Sequence, residues 1–578
     1  MRIYTQIITT CISTIISSYL SFGQGIIIKS GANVIQNGGN LILSSNWINS
    51  GTFSETAGTV IFAGTTQSLG GSSQTIFKNI TVSSGSTTSI LTAGQKISGI
   101  LLVDGTLNAD GNLTLISTAS GTALISGTGA GQVFGNVTME RYLPSGFGYK
   151  YFSSPFQSAT VNEFGDDINL AASFTTFYRY DEARTSSGWV SYKTTTNVLS
   201  PMAGYAVNFG SVNAPNTVDI TGVVNNGSES LTLFNHNNTW TKGFSLVGNP
   251  YPSPIDWNAS SGWTRTNIDD ALYYFKASTT DQYGGTYSTL IAGFSSDGLA
   301  TNIIPSMQGF FVHVTDGPFP VTGVLQMDNN TRVTDQSHPF IKSEKSLSLL
   351  RLTAVFSNNP GSPDYSVVYF DPKATNMFDG QLDALKLMNT DLSVPNIYVE
   401  TPNETKISIK SYPYITDSIY IIPLGLKINQ PGEVIFKIKD IEGTFQEMQI
   451  SLTDKITGTA QNLLNSEEYR ISLTEGEYNN RFFLNLSNSI TDIPDNNPFS
   501  ELYSIYYSQG ILKANIGNLE GGKGTLSVYN LLGQFLITDK IYTEGYHEIN
   551  KHLSDGLYIT VFSSGNTRIT RKILIINQ

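Results

Sequence analysis

Cysteine is almost missing from this 578-residue chain, with Cys11 the single one. That excludes a disulfide framework and a Cys-based metal site, and with the first residues removed it excludes a catalytic thiol as well. Charge is scarce too. Only 13% of residues are charged, against about 25% in an ordinary globular protein. The net charge of -12 argues against nucleic acid or an anionic membrane as a partner, because both bind basic patches. The five histidines, His236, His313, His338, His547 and His552, are scattered, with no HExxH pair that would present two imidazoles on one helix face. The GxSxG elbow, the P-loop and the strand-linked GxGxxG are all missing. No catalytic constellation, metal site or cofactor is implied. Past the amino-terminal stretch no long apolar run occurs, so no transmembrane helix is expected.

What fills the chain is uncharged and strand-forming. Ser, Thr, Asn and 54 Gly occupy the polar positions, aromatics reach 11%, and no long stretch carries the 3.6-residue apolar period of an amphipathic helix. Val, Ile, Thr and aromatic residues suit a pleated, half-buried surface, so the fold class is all-β. The length suffices for three or four domains, each able to bury its own core.

The amino terminus reads as a secretion leader over residues 1–23. Arg2 gives a weakly charged start, Ile7 to Leu20 is apolar but diluted by Ser and Thr, and Ser21-Phe22-Gly23 offers small residues for cleavage before Gln24. A membrane anchor would need a longer and less polar run. A lipoprotein signal on Cys11 would leave almost no apolar stretch ahead of it.

Residues 24–142 consist of very short apolar runs separated by Gly, Ser, Asn and Thr, among them Ile26 to Ile28, Val60 to Phe62, Ile76 to Val82, Ile97 to Val103 and Leu113 to Ile116. Such spacing predicts the coils of a β-solenoid, in which each coil buries its apolar side on its neighbours. Asp104, Asn108, Asp110 and Asn112 fall in turns, where they either bond their own backbone or offer hard oxygens to calcium.

Residues 143–334 form an aromatic-rich β domain. Four of the five tryptophans lie here, Trp189, Trp240, Trp257 and Trp263. Pro250, Pro252 and Pro254 forbid a helix or a central strand, which makes GFSLVGNPYPSPIDW a fixed extended loop that aims Tyr251 and Trp257. Tyr251, Trp257 and Trp263 are the candidate ligand-binding residues if these rings stack on sugar faces; burial in the core is the competing use, worth about 1.5–3 kcal/mol per ring. The doublets Asp166-Asp167 and Asp269-Asp270 cannot be acid/base pairs by themselves, since neighbours on a strand point to opposite faces.

A polar stretch at 335–346 reads as a linker. Residues 347–487 return to alternating strands such as YSVVYF and EVIFKIKDI, expected to form a β-sandwich. A second linker spans 488–498, and residues 499–578 are a small all-β module. There LSVYNLLGQ alternates apolar and polar before a Gly stop, LSDGLYITVF opens from a turn, and TRKILIINQ closes the chain. The order of Tyr529 to Gln534, the step Gly556-Leu557-Tyr558 and Lys572-Ile573-Leu574 resembles the C-terminal sorting domain of bacterial type IX secretion cargo. Blocks of the aromatic-rich domain, including IPSMQGFFVHV, resemble recurring segments of uncharacterised cargo of the same kind. Residues 58–85 and 98–117 resemble degenerate repeats of large bacterial surface proteins.

The resemblance implies a sorting motif at Tyr529, Gly533, Gly556, Tyr558 and Lys572. It also implies the type IX machinery as a partner, an extracellular or outer-membrane-surface location, and either release or anchoring on surface lipopolysaccharide. Two functions then follow. One is a non-catalytic adhesion or surface-attachment protein. The other is a secreted protein that binds or degrades extracellular polysaccharide.

Overall fold

The computed structural model describes residues 22–23, 25–336, 348–414, 419–465, 467–488, 503–508, 511–516, 523–530, 532–543, 545–549, 551–554, 556–565 and 567–575. The leader reading at 1–23, Cys11 and nearly all of the linkers at 335–346 and 488–498 lie outside them. Strand accounts for 55% of the chain and helix for 2%, as the uncharged, β-branched composition requires. The described residues divide into two compact units, one ending at Ser489 and one starting at Ile490.

The first unit opens with a β-solenoid of about 5 turns. Its three sheets stack strands from successive coils in parallel register, for example Ile26–Ile28, Trp47–Asn49, Thr66–Gly70, Thr87–Ile90, Thr106–Asn108 and Gln132–Phe134 along one face. Thr66 sits opposite Thr87, Thr87 opposite Thr106, and Thr106 opposite Gln132, so the coil is 21, then 19, then 26 residues long. The longest coil carries a small hairpin of Ser117–Thr118 with Gly121–Thr122. Each short strand alternates inward and outward, which is why apolar runs of two or three residues suffice. Trp47, Phe53 and Phe77 meet inside, with centroids 4.8–5.8 Å apart. The corners are closed by buried amides: Gln67 accepts from the Gly64 N–H and donates to the Leu43 and Ser45 carbonyls. Gly71 is forced by the same crowding, because a β-carbon there would stand 1.9 Å from the Asn49 carbonyl oxygen at a φ of +124°.

At its carboxyl side one of the solenoid's three sheets continues into the following domain. Asn136–Leu143 pairs in parallel with Leu113–Leu115 of the coil before it and, along its whole length, antiparallel with Asn216–Val224 of the following domain. One apolar core therefore runs from Ile28 to Met307. Beyond it, Phe244–Gly248, Gly309–His313, Leu272–Ala277, Gly285–Ile291 and Phe294–Ser295 form a five-stranded sheet, and Glu229–Asn235, Val321–Met327 and Trp263–Thr266 a three-stranded one.

Residues 349–488 build a large, strongly curved sheet closed over its own core of Leu350, Leu352, Phe356, Ile397, Leu424, Phe436, Phe482 and others. Part of its outer face is also buried. Leu349, Val367, Tyr369 and Ile409 pack against Tyr151, Phe244, Tyr273 and Phe311 of the aromatic-rich region, so all eight residues of Leu349–Phe356 are hidden from water.

The second unit is a small two-sheet module. Tyr503–Ser508, Ile511–Ile516 and Gly545–Ile549 form one sheet, and Phe535–Ile541, Gly524–Asn530, Gly556–Ser564 and Thr567–Ile575 the other. Leu512, Ile516, Leu526, Val528, Phe562 and Ile575 meet between them. No helix among the described residues is long and apolar enough to cross a membrane.

Candidate functional site

Two buried carboxylates organise the aromatic-rich region, each gripping a histidine. Glu182 accepts the His236 backbone N–H at 3.0 Å and the Gly243 N–H at 3.3 Å, while its second oxygen lies 2.6 Å from His236 Nδ1. Its backbone carbonyl accepts the Thr241 hydroxyl at 2.7 Å. The loop between His236 and Gly243 is thereby tied at both ends, tightly enough to hold Asn237 and Lys242 in left-handed backbone. At its apex Trp240 is 70% exposed. The second pair is Asp269 and His313, with Oδ2 to Nδ1 at 2.6 Å and both side chains hidden. Thr315 donates to the other Asp269 oxygen, and the His313 ring packs on Phe244. A carboxylate on Nδ1 fixes an imidazole's orientation, as in hydrolytic triads. At His313 burial removes access to a substrate, and the pair fastens the end of strand Gly309–His313 to the segment before Leu272–Ala277.

The candidate aromatic residues point inward. Tyr251 is 0% exposed, donates to the Gly227 and Met327 carbonyls and lies beneath the Arg332 guanidinium. Trp257 is 2% exposed and donates to the Asp270 carbonyl. The structure brings Trp257 together with half-buried Trp263, their rings 4.9 Å apart, with Arg265 over Trp257 at 4.5 Å. The proline-rich loop is fixed as its sequence requires, since Asn249 donates to the Ser253, Ile304 and Pro305 carbonyls, but it aims its rings at the core. A sugar could reach the Tyr251 or Trp257 ring only if the domain opened.

The acidic doublets separate as well. Asp269 holds His313, whereas Asp270 pairs with Arg265 at 3.4 Å. Burial, reinforced by Asp166 and Asp219, pushes the Asp167 carboxyl up to about 7. Of the residues expected in solenoid turns, Asn108 ends a strand and donates to Ser89, Asn112 donates to the Ile90 carbonyl, and Asp104 accepts from the Ala130 N–H, so these side chains lace one coil to the next.

In the carboxy-terminal module the motif residues divide into builders and a display. Tyr558 is buried and donates to the Ser554 carbonyl, Gly556 adopts a φ of +154°, and Lys572 stands outward on the strand opposite Ile559. Tyr529 packs edge-on against Phe535, with centroids 5.6 Å apart. Between them the Asn530 side chain accepts the Leu532 and Gln534 N–H groups at 3.1 and 2.9 Å and donates to the Gln534 side chain. Gly533 completes this turn in left-handed backbone, its N–H on the Asn530 carbonyl.

Comparison with known families separates the same two parts. Residues 497–576 match a secretion system C-terminal sorting domain. Residues 36–486, well over half of the chain, match a domain of unknown function, DUF8693. The chain belongs to the DUF8693 family. No curated protein matches it. The sorting domain makes this DUF8693 protein a type IX secretion cargo, bound for the cell surface or the extracellular space, with the type IX machinery as a partner.

Sequence reasoning missed both histidine–carboxylate pairs of the DUF8693 region. His313 and Asp269 stand 44 residues apart and His236 and Glu182 54, and no local pattern joins such positions. Trp240 did leave a signal: it ends the polar run Asn235-His236-Asn237-Asn238-Thr239, a context that favours an exposed loop over a core strand.

Proposed function

We propose that this DUF8693 protein works outside the cell as a non-catalytic attachment protein, its solenoid held against an extended partner. The observation that carries this reading is a regular polar face. Thr66, Thr87, Thr106 and Gln132 form one outward file, and Ser68, Ser89 and Asn108 run beside it until the apolar Phe134 ends that row. Uncharged hydroxyls and amides repeat there at the spacing of adjacent strands, about 4.8 Å, which suits many weak contacts along a long partner better than one small ligand. In this reading residues 1–23 are the export leader, 24–142 the rod, 143–334 and 347–487 its β-rich support, and 499–578 the sorting module. Anchoring on surface lipopolysaccharide would then hold the rod at the cell.

The test compares purified protein with a Thr66→Lys, Thr87→Lys, Thr106→Lys variant for retention on host cells, biofilm matrix and insoluble polysaccharide. The variant should melt like the parent and lose at least about tenfold in retention, as expected when many small contacts fail together. Equal retention of the two, or release of reducing sugar from any polysaccharide by the parent, overturns the reading.

Polysaccharide binding is the second reading, and Trp240 favours it. Burying an exposed ring against a sugar is favourable, and Glu182 already fixes the loop, so little ordering cost remains. Trp240→Ala should fold normally and lose glycan-array signal while leaving retention by the solenoid face intact.

A further inference from the structure

We propose that the Asn530–Gln534 turn, with the first residues of the strand that follows it, is the surface by which the type IX machinery grips the folded sorting module, through an apolar pocket on the machinery. The module's apolar residues fall into two groups. Leu526, Val528, Tyr558, Phe562, Ile573 and Ile575 are buried and build the fold, so a partner that meets the folded module cannot touch them. Leu532 is the opposite case. At 85% exposure it is the most exposed large apolar side chain among the described residues of the protein. Phe535 and Leu536 are exposed beside it.

A folded domain gains nothing by holding a leucine in water, since burying such a side chain is worth roughly 1.5–3 kcal/mol. Yet the module spends its hydrogen bonds on holding it there. Asn530 accepts the Leu532 and Gln534 backbone N–H groups and donates to the Gln534 side chain, and Gly533 adopts left-handed backbone beside them. A hydrogen-bonded turn offering a single apolar anchor is what a pocket grips at low entropic cost. The anchor sits next to the sheet's outer strand, Phe535–Ile541, whose only strand partner among the described residues is Gly524–Asn530, so a second contact along that edge is open. The machinery is the committed partner because the domain that carries the turn matches a sorting domain. The proposal does not depend on the attachment reading.

Full-length Leu532→Ser, Leu532→Met and Asn530→Ala proteins, expressed in the native host beside the parent and a chain truncated after Ser489, decide the matter. The measurement is the ratio of surface plus medium protein to periplasmic protein, with the melting temperature of each purified variant. Leu532→Ser is expected to fall at least tenfold in export while melting like the parent, Leu532→Met to be exported normally, and Asn530→Ala to fall between. Export of Leu532→Ser at the parental level overturns the proposal. So does loss in Leu532→Met, or a loss in Leu532→Ser that follows a lowered melting temperature. The truncated chain fails for every form of the sorting assignment, so its export would instead refute the use of the module altogether.

Discussion

Lys410 carries its ammonium where water cannot reach it. It donates to the Thr375, Met377 and Ser411 carbonyls and to Asp383 at 2.9 Å, both members of the pair having no exposed side-chain surface. Burial pulls the lysine below its usual value and Asp383 opposes that pull. Removing one partner strands a charge in a dry site, so Asp383→Asn should cost about 3–5 kcal/mol in urea unfolding, whereas the paired change Asp383→Leu, Lys410→Met costs far less. A base held below its ordinary value destabilises the fold while the solution keeps it charged, so the Asp383→Asn loss is greatest near neutrality and shrinks as pH rises towards ~10. Glu55 titrates in the other direction. Burial, opposed by the Lys78 N–H at 2.7 Å, raises its carboxyl to about 7. The fold favours its protonated form, so this contribution is complete below the ordinary glutamate range and disappears as pH climbs to about 7. Glu55→Gln should therefore raise the melting temperature by roughly one to two degrees at pH 8 and leave it unchanged at pH 4. Neither role was legible in the sequence. Lys410 lies in ISIKSY, where the period of 2 sets it opposite Ile407 and Ile409 and reads it as facing solvent, while Glu55 in TFSETAG shares a face with Phe53 and nothing local names the Lys78 N–H as its partner.

At the scale of the element, the coil corner tolerates no side chain at Gly71. Gly71→Ala should cost about 1–3 kcal/mol from backbone strain alone, with more from displacing the Asn49 carbonyl, and should appear as early loss of the solenoid in hydrogen exchange. The coil was readable from local pattern, because each short strand needs only alternation and each corner only Gly, Asn, Ser or Thr. Its drifting period also has a local cause, the hairpin inserted in the last coil. Strand Leu349–Phe356 shows where such reading stops. Arg351 looks like an outward residue between leucines, yet it donates to the Ser295 and Ser296 carbonyls of another region and pairs with Asp440. Two buried faces require two neighbours, and the identity of the second is a long-range fact. The sugar-stacking reading of Tyr251 and Trp257 met the same limit: proline fixed the loop, but the surrounding sheets decided which way it points.

For the whole molecule, the division after Ser489 predicts two independent melting events. Calorimetry of the full chain should show a separate transition for the sorting module, and deleting residues 490–578 should leave the other transition unmoved while abolishing export. A single transition that shifts on deletion would contradict this. Inside the larger unit the solenoid, the aromatic-rich sheets and the curved sheet share buried layers, so limited proteolysis should not release the solenoid as a folded fragment. The seam that matters most there is Asn136–Leu143, laid along Asn216–Val224 over eight residues. Strands of successive coils pair side by side, so tension along the stack crosses that seam at right angles to its strands and pulls directly on its ladder of backbone bonds. Under the attachment reading proposed above, the pull the rod can bear is set by the rate at which that eight-residue seam opens.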